Sequence, residues 1–214
     1  NNQLTPIIQS PAEEKKYRIE NDVNGVQGAI RIARPFPNRH HPDFMKVMVL
    51  NTLFGGFFGS RLMSNIREDK GYTYGANSGL QYRRGPGPFR AGGDIQTAVT
   101  KEAIIEFMKE LNGIRGEIPI TAKELDYNKQ SLIRRFPSAF ETVGGISGQL
   151  SNIVVYGLPD SYFNDYISKV NAVTLDDVNR VAKQYLDPSK MAIVIVGDRK
   201  VIEPGLKELG FGIT

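Results

Sequence analysis

Polar and apolar positions alternate from Val26 to Ala33, with Val26, Gly28, Ile30 and Ile32 set against Gln27, Ala29, Arg31 and Ala33. A period of two predicts a half-buried strand, which Pro35 and Pro37 end. The period then changes. After Pro42-Asp43, residues Phe44, Val47, Met48, Leu50, Asn51 and Phe54 recur at helical spacing and predict a helix to about Phe54. Gly55, Gly56 and Gly59 break it; a short helix resumes over 60–69 with Leu62, Met63 and Ile66 inward, and Gly71 ends that one. Strands near 72–83 and 88–97 follow, turning at Arg84-Gly85-Pro86-Gly87.

The second half reads as helical. Thr97 or Thr100 is expected to cap a helix that runs to about Arg115. Thr121-Ala122-Lys123-Glu124 is a capping box opening a helix to about Arg135, where Phe136-Pro137 interrupts. A helix over 139–156 carries Gly144, Gly145 and Gly148, which implies close packing or a bend. Shorter helices follow near 160–170 and 174–186, the latter opened by Thr174-Leu175-Asp176-Asp177, a capping box with Asp in place of Glu. Met191 to Val196 is continuously apolar, the pattern of a strand buried on both faces, and a last short helix follows Gly197-Asp198. The order β-α-α-β-β-α-α-α-α-α-β-α predicts an α+β domain. Residues 1–16, with Pro6, Pro11 and the run Glu13-Glu14-Lys15-Lys16, read as a linker ahead of a domain over 17–214. A chain opening on Asn1 further suggests that a longer polypeptide was cut.

Composition narrows the chemistry. Of 214 residues, 40% are hydrophobic and 23% charged, ordinary for a globular domain. A net charge of +4, spread along the chain with only Arg83-Arg84 and Arg134-Arg135 as arginine doublets, argues against a nucleic-acid partner. The absence of cysteine excludes disulfides, iron–sulfur clusters and thiol catalysis, and allows bacterial periplasm or cytoplasm alike. No apolar run reaches the ~20 residues that a membrane span needs.

His40 and His41 are the only histidines, so no histidine-dependent triad can be built elsewhere. Adjacent on a loop, with no third ligand nearby, they do not make a zinc site; no metal is assigned to this chain. The Gly55-to-Arg61 stretch lacks the Lys-Ser/Thr of a phosphate loop and follows a helix rather than a strand. It serves either as a sharp helix–helix turn or as a mobile loop lining a cleft. Arg67, in the last turn of its helix, and Tyr74, early in the next strand, meet at one junction. One reading has Arg67 complementing the helix dipole and Tyr74 packing in the sheet. The other has both donating hydrogen bonds to a peptide carbonyl without proton transfer. Tyr72 points to the same strand face and could substitute for Tyr74.

The segment Leu50-Asn51-Thr52-Leu53-Phe54-Gly55-Gly56-Phe57-Phe58-Gly59-Ser60-Arg61-Leu62, continued by Ile66-Arg67-Glu68-Asp69-Lys70-Gly71-Tyr72-Thr73-Tyr74-Gly75, resembles the C-terminal, non-zinc half of the M16 metallopeptidases. These include pitrilysin, insulinase and the mitochondrial processing peptidase. The likeness continues through Leu158-Pro159, Val170-Asn171-Ala172-Val173-Thr174-Leu175-Asp176-Asp177-Val178 and Ile193-Val194-Ile195-Val196-Gly197-Asp198, covering roughly 17–210. It implies the mitochondrial processing peptidase-like metallohydrolase fold, a mixed, largely antiparallel sheet with helices on one face. It also implies a partner domain or subunit carrying His-x-x-Glu-His and the zinc, so this chain alone should not hydrolyse peptides. By the same likeness Tyr74 donates to the scissile carbonyl or its oxyanion, and Arg67 holds a nearby substrate carbonyl. Gly55, Gly56, Phe57, Phe58 and Tyr72 would line the peptide site. The alternative within the resemblance is a structural or oligomerisation module, homo-oligomers included, without catalysis.

Overall fold

In the computed structural model, which describes residues 16–23 and 25–210, five strands form one mixed sheet in the order β1-β5-β2-β4-β3. The strands are β1 (Lys16–Asn21), β2 (Gln27–Phe36), β3 (Thr73–Leu80), β4 (Gly87–Gln96) and β5 (Ala192–Gly197). β1 runs parallel to β5; the other three pairings are antiparallel. The expected α+β class and mixed sheet are therefore present.

The helices are α1 (Phe44–Asn51), α2 (Thr100–Gly113), α3 (Ala122–Arg135), α4 (Val143–Tyr156), α5 (Tyr166–Ala172), α6 (Leu175–Tyr185) and α7 (Arg199–Glu208). Two π-helical stretches, Thr52–Gly56 and Met63–Asp69, flank the glycine loop. The core lies between the helices and one sheet face. Ile30 and Ile32 of β2, Phe89 and Ile95 of β4, and Ile193 and Ile195 of β5 meet Leu50 and Phe54 near α1 and Ile104 and Phe107 of α2, all of them buried. Burying each such side chain contributes roughly 1.5–3 kcal/mol. The opposite face carries Arg31, Asp94, Arg90 and Asn77, all exposed.

Local signals held where the chemistry is local. Thr121 accepts from the Glu124 amide while Glu124 reaches back to the Thr121 amide, and Thr174 and Asp177 do the same ahead of α6. Four expectations are corrected. β1 is an additional strand, and all of the expected linker except Lys16 lies outside the described residues. β2 continues through Pro35 to Phe36, because Pro35 stands opposite Pro88 at the end of the ladder. Neither Thr97 nor Thr100 caps α2: their hydroxyls donate to the carbonyls of Gly25 and Thr97, and a short 3-10 turn leads into the helix instead. β5 is buried on one face only, its residues alternating between buried and half-buried, on the side of the sheet where Arg31, Arg90 and Asp94 stand exposed.

The α4 glycines divide. Gly145 marks close packing, since a Cβ there would lie 2.6 Å from the Ala139 carbonyl oxygen, whereas one on Gly144 or Gly148 would meet open space. α4 contains no charged residue and no buried one, and Val143, Leu150 and Val154 stand exposed along it. It ends at Gly157, whose φ of 61° lets the Leu158 amide reach the Ile153 carbonyl and the Gly157 amide reach the Val154 carbonyl.

Candidate functional site

The junction between the second π-helical stretch and β3 is held from both sides. On one side, the Asn65 amide donates to Glu106 (2.9 Å) and Glu110 (2.7 Å) of α2, and Lys70 lies 3.6 Å from Glu106. Burial alone would raise the Glu106 carboxyl, but Asn65, Lys109 and Lys70 together hold it below the usual carboxylate range. On the other side, Arg61 grips α3. Its Nε and Nη2 meet the two oxygens of Glu124 at 2.8 and 3.0 Å, and Nη1 donates to the Ile118 carbonyl at 2.7 Å. Here too burial pushes the carboxyl of Glu124 up, and the hydrogen bonds from Arg61 and Thr121 outweigh it and bring it down. A planar two-point pair of this kind fixes direction as well as distance. Arg61 thus ties the glycine loop to the same glutamate that closes the α3 capping box.

Between these anchors β3 begins with a bulge. Thr73 pairs with Ile95 and Ala76 with Gly93, so three steps on β3 face two on β4. The Thr73 hydroxyl donates to the Asp94 carbonyl at 2.6 Å and accepts from the Gly75 amide at 3.0 Å. Gly93 permits the close approach, since a Cβ there would stand 2.5 Å from the Gly75 carbonyl oxygen. A bulge re-aims a side chain. Tyr74 is turned outward and is 87% exposed, while Tyr72, ahead of the strand, is half-buried and packs against the core. The two tyrosines therefore do not share a strand face, and Tyr72 is not placed to stand in for Tyr74.

Arg67 lies half-buried on the π-helical stretch, its guanidinium centre 4.8 Å above the exposed ring of Phe58. Its one carboxylate neighbour is Glu68, with Nε 3.4 Å from Oε1 and both side chains open to water. Such a pair contributes about 0–1 kcal/mol, so the cation is free to meet a ligand. Chain geometry keeps Arg67 close to the strand: the Gly71 amide donates to its carbonyl, and the Tyr72 amide to Ile66. Gly71, at φ 67°, makes the turn into β3.

The remaining residues named from the sequence separate into two groups. Phe58 is exposed and Phe57 half-buried, the latter held 5.9 Å from Tyr127 and beneath Arg135 at 5.4 Å. Gly56 is exposed. Gly55 is buried and serves packing: a Cβ there would lie 2.5 Å from the Ser78 amide nitrogen, where the helix crosses β3. Arg61 and the Thr73 latch escaped the sequence reading. An Arg on a loop has no sequence signature for its partner, and a bulge depends on cross-strand register.

His40 and His41 serve the loop before α1. A ring nitrogen of His40 lies 2.7 Å from the Tyr156 carbonyl, and His41 Nδ1 accepts from the Asp43 amide at 3.0 Å. Among the described residues no group of three or more His, Cys, Asp or Glu side chains is placed to hold a metal ion, and no helix is long and apolar enough to cross a membrane.

Similarity to known proteins places the chain in a family. The model of the peptidase M16 inactive domain matches residues 2–132, more than half of the chain. The "Non-peptidase homolog YmxG" of Helicobacter pylori is 25% identical over 210 residues, 94% of this chain and 48% of that protein. The "Uncharacterized zinc protease YmxG" of Bacillus subtilis is 28% identical over 145 residues, 67% of this chain and 35% of its own length. The crystal structure of a peptidase M16 inactive domain from Pseudomonas fluorescens superposes with a TM-score of 0.74 at 29% identity, covering 86% of this chain and 44% of that one. The chain spans less than half the length of each. That family-model match shows that the chain belongs to the M16 peptidase family as an inactive-type domain.

Proposed function

We propose that this chain is the substrate-clamping, non-zinc half of an M16 zinc metallopeptidase, acting on unfolded peptides with a zinc-bearing His-x-x-Glu-His domain or subunit. One observation carries the reading: a bulge latched by Thr73 turns Tyr74 out to 87% exposure on a strand that packs against the helical stretch bearing Arg67, which no carboxylate among the described residues grips on two points. Tyr74 donates its phenolic hydrogen to the scissile carbonyl and to the oxyanion that forms from it. Arg67 donates to a neighbouring substrate carbonyl and keeps the chain in register. Phe58 supports the guanidinium and Gly56 leaves room for the peptide backbone. The partner supplies the metal and the base. Donors aimed at a developing oxyanion stabilise the transition state more than the ground state, which is why so few groups suffice.

The test is reconstitution with the zinc-bearing half and an unstructured peptide. Tyr74→Phe removes one oxyanion donor and is expected to lower kcat by ~10²–10³. Full activity in that variant would disprove the role. A second reading, a structural module without catalysis, is favoured by one observation, the name of the Helicobacter pylori relative as a non-peptidase homolog. It predicts no peptide affinity and no effect of Arg67→Ala on the partner's turnover.

A further inference from the structure

A second concave site shares Gly56 with the proposed peptide site, and the chemistry of its wall does not depend on the peptidase reading. The cavity has a volume of about 400 Å³ and lies where α1, α3, α4 and α5 converge. Its lining includes Arg39, Arg135, Phe136, Tyr82, Tyr162 and Tyr166, and it contains no aspartate or glutamate. Arg39 and Arg135 therefore both line an aromatic cavity with no counter-charge in its wall, the Arg135 guanidinium lying over Phe57, which is not part of that wall.

Two other arginines are paired, Arg61 with Glu124 and Arg180 with Asp43, while half-buried Arg34 donates to the Tyr185 carbonyl. Among the described residues neither Arg39 nor Arg135 forms an ion pair. Arg39 is held instead by rings, its guanidinium centre 4.3 Å over Tyr82 and 4.8 Å over Tyr156. Stacking of this kind fixes the plane of a guanidinium while leaving its in-plane donors unused. The buried Nε of Arg39 has no hydrogen-bond partner among the described residues, and Tyr162 lines the same cavity. A buried polar group left unpartnered is costly, and because Nε is sealed from solvent, a ligand in the cavity would be met by the other guanidinium N–H groups of Arg39.

The apolar side of the cavity is as well defined. Phe136 and Tyr166 stack with centroids 4.2 Å apart and planes within 12°, and the Tyr166 hydroxyl has only a 3.9 Å contact to the Met48 sulfur. Burial pushes the Tyr82 hydroxyl up to about 12, so it stays protonated at neutral pH, and it supplies no negative charge to answer Arg39.

We propose that this cavity binds an organic carboxylate with an aromatic or branched apolar body. The carboxylate accepts from Arg39 and Tyr162, the body lies along the Phe136–Tyr166 wall, and Arg135, exposed, draws the anion in from the rim. Two sources share this chemistry: the free C-terminal residue of a peptide and a free aromatic acid.

Calorimetric titration of the purified chain with four probes tests the assignment. They are N-acetylphenylalanine, its amide, a tetrapeptide ending in phenylalanine with a free carboxylate, and 3-phenylpropanoate. Acids are expected to bind about tenfold or more tightly than the matched amide, the usual margin for a hydrogen-bonded charge. Tetrapeptide tighter than 3-phenylpropanoate identifies a peptide terminus; the reverse identifies a free acid. Arg39→Gln should abolish the preference for acid over amide with thermal unfolding still cooperative. Should that variant not fold, Arg135→Gln on the exposed rim should weaken the acids and leave the amide unchanged. Equal binding of acid and amide, no binding at millimolar concentration, or an acid preference that survives both substitutions would overturn the proposal.

Discussion

Arg180 and Arg67 both stand beside a tyrosine with their side chains partly open to water, and the fold treats them in opposite ways. Arg180 meets both oxygens of buried Asp43, at 2.5 and 3.1 Å, and Tyr185 donates to the same carboxylate at 3.2 Å. Lys46 closes the group by bridging to Asp177 at 2.9 Å. The hydrogen bond from Arg180 holds Asp43 below the usual carboxylate range although burial works against it. Donors from Arg180, Tyr185 and Lys46 in that cluster are drawn to Asp43 and Asp177, across the contact between α6 and the start of α1. Arg67 lies over a phenyl ring, brushes Glu68 at one nitrogen, and shares its junction with a tyrosine turned to solvent. Saturated donors hold the fold together; unsaturated donors held in place by others are what a ligand can use.

Exchanging the assays for the two arginines is the sharpest way to break this contrast. Arg67→Ala should weaken peptide turnover in the reconstituted enzyme by about 10–100-fold, the effect of losing a charged hydrogen bond. Its urea midpoint should stay within error of the parent. Asp43→Ala should do the reverse. It strands Tyr185 and releases Arg180, and because Arg180 is half open to water the cost falls to about 1–3 kcal/mol in urea unfolding, with turnover per folded molecule unchanged. If both substitutions moved the same readout, the division into spent and available donors would be wrong.

The helix–sheet crossing under the site gives a further separation. Gly55→Ala places a Cβ 2.5 Å from a β3 amide, which the neighbouring backbone cannot easily yield. Overpacking of this kind costs about 1–3 kcal/mol, read by urea unfolding, and should lower activity only through the folded fraction.

The pH dependence follows from the paired carboxyls. Asp43, Asp177 and Glu124 all titrate below their ordinary values in the folded chain. The stability they contribute is fully present above the unfolded carboxylate range, near pH 4, and is lost as pH falls from there through the lower folded values. Unfolding midpoints should therefore be flat from pH 7 down to about 5 and fall below about 4, with a shallower fall in Asp43→Asn. The smallest expected effect has the opposite sign. Gly148→Ala in α4 meets open space and should stabilise by about 0.5–1 kcal/mol.

Legibility in the sequence followed the range of each interaction. Both capping boxes were readable because their partners sit three residues apart. So was the order of the five helices after β4. β1 was not, although Tyr17 and Ile19 alternate with Arg18 and Glu20; four residues make a weak period, and its parallel partner β5 begins at Ala192. The apolar run of β5 overstated its burial, because a sheet open on one face still carries Val194 and Val196 half-buried there. Gly55 read as a loop bend because sequence cannot say what a glycine approaches. The exposure of Tyr74 apart from Tyr72 was not legible, since the bulge that separates them exists only in the register of β3 on β4.

The central claim is that Tyr74 is exposed for chemistry and not merely unpacked. Side-by-side kcat/KM of the reconstituted enzyme carrying wild-type chain, Tyr74→Phe or Tyr185→Phe measures it directly. The account predicts a ~10²–10³ loss for Tyr74→Phe with an unchanged unfolding midpoint, and full turnover per folded molecule for Tyr185→Phe. Equal turnover in wild-type and Tyr74→Phe would contradict it.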